Sequence, residues 1–255
     1  MALLQISGLT HFFGGLRAVY GFDLDLNEGE LIGLIGPNGA GKTTVFNLVT
    51  GIYQPTEGTI QFNGDNLIGL QPHQIAAKGI CRTFQTIRLF SNVSVLDNVR
   101  IAFYSQIRSS LLEALLRAGR VLGEDKEFTQ EAMRLLEIFN VGHYAQELAR
   151  NLPYGEQRRV EIARALATKP RLLLLDEPAA GMNPGEIDRL MDLIHYIRDQ
   201  FGLTIFLIEH QMRLVMRICE RIKVMDFGET IAEGSCQEVR TNPRVLKAYL
   251  GDETE

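Results

Sequence analysis

Residues 36–43 read G-P-N-G-A-G-K-T, residue types at the spacing of a phosphate loop, G-x-x-x-x-G-K-T. The apolar run LIGLI enters from Leu31 and the helix-like TTVFNLVTG follows, so the glycines stand between a strand and a helix. Backbone N–H groups at such a turn converge without Cβ obstruction and form an anion site at a helix N-terminus. Lys42 is placed to reach β- and γ-phosphate oxygens, and the Thr43 hydroxyl to complete the shell of a Mg2+ on those phosphates. This is a candidate site for a nucleoside triphosphate with magnesium.

A second cluster stands at the end of RLLLLDEP, where Asp176 and Glu177 close a short apolar run. Open α/β sheets bind ligands at that edge. Asp176 is placed to hold the Mg2+ opposite Thr43, and Glu177 to orient a water for in-line attack, which favours hydrolysis over binding alone. The competing reading of this acidic pair is a helix N-cap device ahead of Pro178. His210 ends another apolar strand, LTIFLI, and Gln85 ends ICRTF. Each could contact the γ-phosphate, metal or attacking water; a histidine so placed is by default a buried, hydrogen-bonded one.

The elements that must position these groups follow from periodicity. LLQISGL, VYGFDLDL and LIGLI read as strands, with NEGE as the turn before the last. His11, Phe12 and Phe13 are expected in a short connection before Gly14 and Gly15, and one of the two phenyl rings could stack on a base. TIQFNG is a further strand, and from Thr86 the character becomes helical. SVLDNVRIAFYSQ has Ser94 as N-cap, IRSSLLEALLRAGRVL carries an apolar stripe, and TQEAMRLLEIFNVG is expected to stop at Gly142. The stripe Ile107, Leu111, Leu112, Leu115, Leu116 and Leu122, with Arg108, Arg117 and Arg120 beside it, is expected to pack on neighbouring helices rather than on a membrane surface. Gly155 precedes a helix ended by Pro170, another helix runs from Pro184 to Gln200, RIKVMDFGETIAEG has the form of a β-hairpin, and two short helices close the chain. The expectation is an α/β core carrying a helical insertion.

Composition narrows the class. A 255-residue chain with 45% hydrophobic and 22% charged residues is an ordinary globular composition. The net charge of −5 disfavours a nucleic-acid binder. Cys81, Cys219 and Cys236 have no metal or disulfide spacing, which suits a reducing cytoplasm, and no apolar run reaches the length of a spanning helix, so the expected role at a membrane is peripheral.

In order along the chain, the phosphate loop, Gln85, a helical insert, YGEQRR, LLLLDEP, AAGMNP and IEH resemble the ATP-binding subunits of ABC transporters. FQTIRLF, LPYGEQRRVEIARAL and NPRVLKAYLG are similar to the branch that serves branched-chain amino-acid importers. The resemblance implies a P-loop NTPase (RecA-like) core, residues 1–86 and 156–255, with an antiparallel β subdomain and an α-helical insertion at 87–155. It implies ATP and Mg2+, with Phe13 stacking on adenine and Gly36, Pro37, Asn38, Gly39, Ala40, Gly41, Lys42, Thr43 and Thr44 around the phosphates. Thr43, Asp176 and Gln85 then meet the metal, Glu177 is the base, His210 the switch histidine, and Gln85 the link to the membrane subunit. Residues 152–156, with Gly155 and Glu156, match the signature loop that meets the nucleotide of the opposite subunit. The implied partners are a second ATPase, two transmembrane permeases docked near Leu89, Phe90 and Val93, and indirectly a periplasmic amino-acid-binding protein, at the cytoplasmic face of the cell inner membrane.

The chain departs from the family's Leu-Ser-Gly-Gly-Gln in having Leu152, Pro153, Tyr154, Gly155 and Glu156, and Asn183 stands where aspartate is usual. Pro153 offers neither hydroxyl nor N–H to a phosphate, which fits a heterodimer with unequal sites. Of the competing readings, a GTPase lacks an N-K-x-D-like base reader, a kinase is disfavoured by Glu177 and the signature region, and an ABC ATPase acting on nucleic acid by the acidic charge. An ABC system for another cargo, such as lipid or lipopolysaccharide, stays open.

Overall fold

Strands β1 (Ala2–Phe13) and β2 (Leu16–Asn27) alternate buried and exposed residues and pair antiparallel through a turn at Gly14 and Gly15. The computed structural model describes residues 2–104 and 118–250. His11, Phe12 and Phe13 lie inside β1 rather than in a connection, because a two-residue turn lets pairing run to Phe13 opposite Leu16. Strand β3 (Leu31–Ile35) leads into helix α1 (Lys42–Val49). Strands β4 (Glu57–Phe62) and β5 (Asp65–Asn66) complete a four-stranded antiparallel sheet in the order β2-β1-β4-β5. Helix α2 (Pro72–Ala77) and strand β6 (Ile80–Arg82) follow. Gln85 therefore lies three residues beyond β6 rather than ending it.

The next segment is helical where it is described. Helix α3 (Val95–Phe103) is capped by the Ser94 hydroxyl accepting from the Asp97 N–H at 3.0 Å. Helix α4 (Ala118–Ile138) ends at Asn140, whose φ of 56° is left-handed. The Val141 N–H reaches back to Leu136 O and the Asn140 N–H to Glu137 O, so asparagine takes the stop expected of Gly142, which opens a 3-10 turn instead. Helix α5 (Tyr154–Ala167) begins one residue before Gly155. The side chains of the 107–122 stripe lie outside the described residues.

Strand β7 (Leu172–Asp176), helix α6 (Pro184–Phe201), strand β8 (Thr204–Ile208) and helix α7 (Met212–Ile218) return the chain to the core. Strands β9 (Arg221–Asp226) and β10 (Glu229–Gly234) form the hairpin, and helices α8 (Cys236–Thr241) and α9 (Pro243–Leu250) follow. Helices α2 and α7 escaped the periodicity reading because six or seven residues make too short a window.

The second sheet has the order β10-β9-β3-β8-β7-β6, parallel from β9 to β6. Strands β3, β7 and β8 are buried at every position, as a parallel sheet covered on both faces requires. Leu173, Leu175, Ile205 and Leu207 join the core shared with α3–α6, while Leu172, Leu174, Phe206 and Ile208 face α1 and the antiparallel sheet.

Asn98 joins the start of α3 to the preceding loop. It is fully buried, its Oδ1 accepts from the Phe90 N–H, and its Nδ2 reaches the carbonyls of Phe90, Val93 and Ser94. Asn98→Ala leaves the Phe90 N–H without its acceptor, while the three carbonyls keep the N–H groups of Val93, Ala149 and residue 98, and is expected to cost about 1 to 3 kcal/mol in urea unfolding. A cost below about 1 kcal/mol would show that water or a backbone shift replaces the amide.

Candidate functional site

Because β3, β8, β7 and β6 are adjacent and parallel, the segments leaving their C-terminal ends emerge along one edge. The phosphate loop follows β3, His210 lies just beyond β8, Asp176 ends β7, and Gln85 follows β6. Topology thus brings together groups that are far apart in the chain.

The loop is wedged in place. A Cβ on Gly36 would lie 2.1 Å from the Met225 carbonyl oxygen, and one on Gly41 2.3 Å from that of Ala18, so neither position admits a side chain. Lys42 is buried, and its ammonium donates to the carbonyls of Gly36 at 2.8 Å and Pro37 at 2.9 Å. Burial lowers its pKa, opposed by the negative charges of Glu177 and Asp176. Beside the loop opens a cleft of about 680 Å³. Residues 38–44, Gln85 and Glu177 line its polar part, while Phe13, Leu16 and Phe227 supply apolar surface.

Glu177 has a left-handed backbone, φ 46°, and its N–H donates to Ile208 O at 2.9 Å. Its Oε2 accepts from Gln85 Nε2 at 2.8 Å and lies 3.5 Å from His210 Nδ1, an ion pair whenever the imidazole is protonated. Of the three side chains expected near the γ-phosphate, Gln85 and His210 therefore converge on one oxygen of the third, Glu177. A carboxylate so held can orient a water, and such strain at a loop residue is characteristic of a functional position.

Asp176 sits deeper, 3% exposed, with Oδ2 paired to Arg82 Nη2 at 2.6 Å. The ion pair engages Oδ2, and the second carboxylate oxygen is the atom that could serve a cation. With the Thr43 hydroxyl on the cleft this is an all-oxygen donor set of the kind magnesium takes. No larger cluster of His, Cys, Asp and Glu able to hold a metal occurs among the described residues. The donor chemistry fits magnesium held jointly by protein and phosphates.

Arg82 escaped the sequence reading, although an arginine inside the apolar ICRTF was a signal of a buried ion pair. Its Nη1 also donates to Asn47 Oδ1 at 2.7 Å, and the guanidinium lies over the rings of Phe46 and Phe84. Arg158, fully buried, donates to the carbonyls of Phe84 and Gln85, both at 2.6 Å, and pairs with Glu161. Glu209 is likewise buried, and its carboxylate accepts from the N–H groups of Ala179 and His210. That burial pushes its pKa up.

Gly155 and Glu156 do not line this cleft. They lie in the first turn of α5, where Pro153 is the N-cap and the Tyr154 ring covers Gly181. Asn183 caps α6, accepting from the Glu186 N–H at 3.0 Å while Glu186 returns a bond to the Asn183 N–H. Either asparagine or aspartate serves that role, so the Asn183 departure keeps the cap.

Residues 19–180 match the family model described as ABC transporter, and residues 229–255 that described as branched-chain amino acid ATP-binding cassette transporter. The chain is 46% identical to the high-affinity branched-chain amino acid transport ATP-binding protein BraF of Pseudomonas aeruginosa, covering 98% of each chain. It is 47% identical to the corresponding protein LivG of Salmonella typhimurium, again over 98% of each. The crystal structure of the ADP conformation of MJ1267, an ATP-binding cassette of an ABC transporter, superposes with a TM-score of 0.84 at 30% identity, covering 99% of this chain and all of that one.

Removing one partner of a buried ion pair leaves an uncompensated charge, which costs about 3 to 5 kcal/mol. Arg82→Met is expected to destabilise by that amount in denaturant unfolding, with Asp176 stranded. A loss under about 1 kcal/mol would mean that the carboxylate finds water or protonates at little cost.

Proposed function

We propose, from the premise that this chain belongs to the ABC transporter ATP-binding subunits, that it hydrolyses ATP to power uptake of branched-chain amino acids through a membrane importer. The observation that carries the hydrolytic reading is the convergence of Gln85 and His210 on the Glu177 carboxylate beside the phosphate loop. The cargo reading is supported by the near full-length identity to BraF and LivG and by the matched segment 229–255.

In this reading Phe13 stacks on adenine and residues 36–44 cradle the phosphates. The Lys42 ammonium turns from its loop carbonyls to phosphate oxygens. Thr43, Asp176 and Gln85 would hold Mg2+, which when bound neutralises charge developing on the transferred phosphoryl group. Glu177 orients the attacking water and His210 closes the site over it.

The signature segment with Gly155 and Glu156, which does not line its own cleft, serves the nucleotide of a second ATPase subunit. Its proline and tyrosine make a heterodimer with unequal sites the favoured assembly. Residues 87–155 act as the permease-facing insertion on a nucleotide-binding core of 1–86 and 156–255. Phe90, 52% exposed beside the partly buried Leu89 and Val93, is the leading contact for two transmembrane permeases. Among the described helices none is long and apolar enough to cross a membrane. In this reading the permeases hold the chain at the cytoplasmic face of the inner membrane. A periplasmic amino-acid-binding protein would deliver cargo on the other side.

Two substitutions separate binding from chemistry. Lys42→Ala should abolish most nucleotide binding and turnover, whereas Glu177→Gln should keep ATP binding and slow hydrolysis by roughly 10²-fold or more. Normal turnover in Glu177→Gln would remove Glu177 as the base. Glu177→Gln bait with ATP, used on solubilised membranes, should retain two permeases and a second ATPase, and mixing the two ATPases should raise turnover above this chain alone. Equal turnover alone and mixed would sink the unequal heterodimer.

A further inference from the structure

The cleft holds one aromatic that the family pattern does not account for. Phe227 lines it together with Phe13 and Leu16, and the three side chains are 80%, 44% and 69% exposed respectively. Phosphate chemistry needs none of them. The Phe13 ring is already supported edge-on by His11 and Tyr53, with centroids 4.7 and 5.3 Å away.

Phe227 occupies an unfavourable place for its type. It and Gly228 are the two-residue turn between β9 and β10, with φ of 43° and 83°. Asparagine, aspartate or glycine is the usual choice at the first of two left-handed positions, and a bulky aromatic there is an outlier. So exposed a ring gains little from packing within this chain. Its position is nevertheless closely held. The Gly228 N–H donates to Ala40 O of the phosphate loop at 3.1 Å, the Tyr20 N–H donates to Gly228 O at 2.8 Å, and Arg17 pairs with Glu229 at 2.8 Å. The turn is thus bonded directly to the loop that would carry the phosphates and to the strand that carries Leu16.

We propose that Phe227 contacts the nucleoside of bound ATP, its ring forming with Phe13 and Leu16 an apolar wall for base and ribose. This rests on the ATP site proposed above and adds a residue to it. Aromatic stacking on a base is tolerant of sequence and position, so a ring at the cleft rim can serve without hydrogen-bond readout. The apolar end then complements the polar end lined by Lys42 and residues 38–41.

The test is calorimetric titration of the full chain with MgATP and, separately, with magnesium tripolyphosphate, which has phosphates but no nucleoside. Phe227→Asn suits the left-handed turn, so its ligand-free thermal midpoint should hold or rise. Its Kd for ATP should nevertheless increase about tenfold, equivalent to about 1.4 kcal/mol. Tripolyphosphate should bind variant and wild type alike, and Phe227→Tyr should keep wild-type ATP affinity. Unchanged ATP affinity in Phe227→Asn would overturn the inference and leave the ATP site standing. Equal weakening toward both ligands would overturn it too, assigning Phe227 to the shape of the phosphate loop. Failure of the wild-type chain to bind ATP would remove the site itself, and this contact with it.

Discussion

The phosphate loop is hemmed in by two neighbouring backbones that leave room for nothing larger than hydrogen at Gly36 and Gly41. Met225, which presses on Gly36, belongs to the parallel sheet, and Ala18, which presses on Gly41, to the antiparallel one. The loop is therefore where both sheets meet, and its shape is imposed from outside as well as by its own glycines. The same closeness places the Gly228 N–H on the Ala40 carbonyl and sets the apolar rim of the cleft beside its phosphate end. A change at either sheet's contact strand would be felt first at the loop.

Around that wedge the ligand edge is tied together by charges buried in pairs or against backbone groups. Arg82 joins the end of β7 to α1 through Asp176 and Asn47. Arg158 and Glu161 hold the segment around Gln85 on α5, with Glu161 also accepting from the Arg88 N–H. Glu209 joins the end of β8 to the loop after β7. Buried charges are costly unless paired, and here only the Nε atoms of Arg82 and Arg158 among these guanidinium nitrogens lack a partner. Through Arg158 a continuous line of hydrogen bonds runs from α5 to Gln85 and on to Glu177.

Much of the architecture was legible in short stretches. LIGLI, LLLL and TIFLI announce buried parallel strands because apolarity at every position requires cover on both faces. Ser94 announces its cap and the loop after β3 its anion site, since both depend on adjacent backbone groups. Where the reading failed, a neighbouring strand, a local stop or shortness intervened. Phe13 belongs to β1 because β2 pairs with it, α4 stops at Asn140 before Gly142 is reached, and α2 and α7 are helices too short to show a period.

The sequence by itself determined the kinds of chemistry present: an anion cradle with Lys42 and Thr43, two carboxylates at a strand end, and a histidine and an amide beyond two others. These are contiguous patterns, and backbone geometry over a few residues is encoded locally. Only the tertiary structure decided that Gln85 and His210 share one oxygen of Glu177, that Arg82 holds Asp176, and that Phe227 joins Phe13 on the cleft. Gln85 and Glu177 are 92 positions apart, and Arg82 and Asp176 94. Contacts over such separations depend on the order in which strands pair and on which charges are buried together, quantities no local spacing contains.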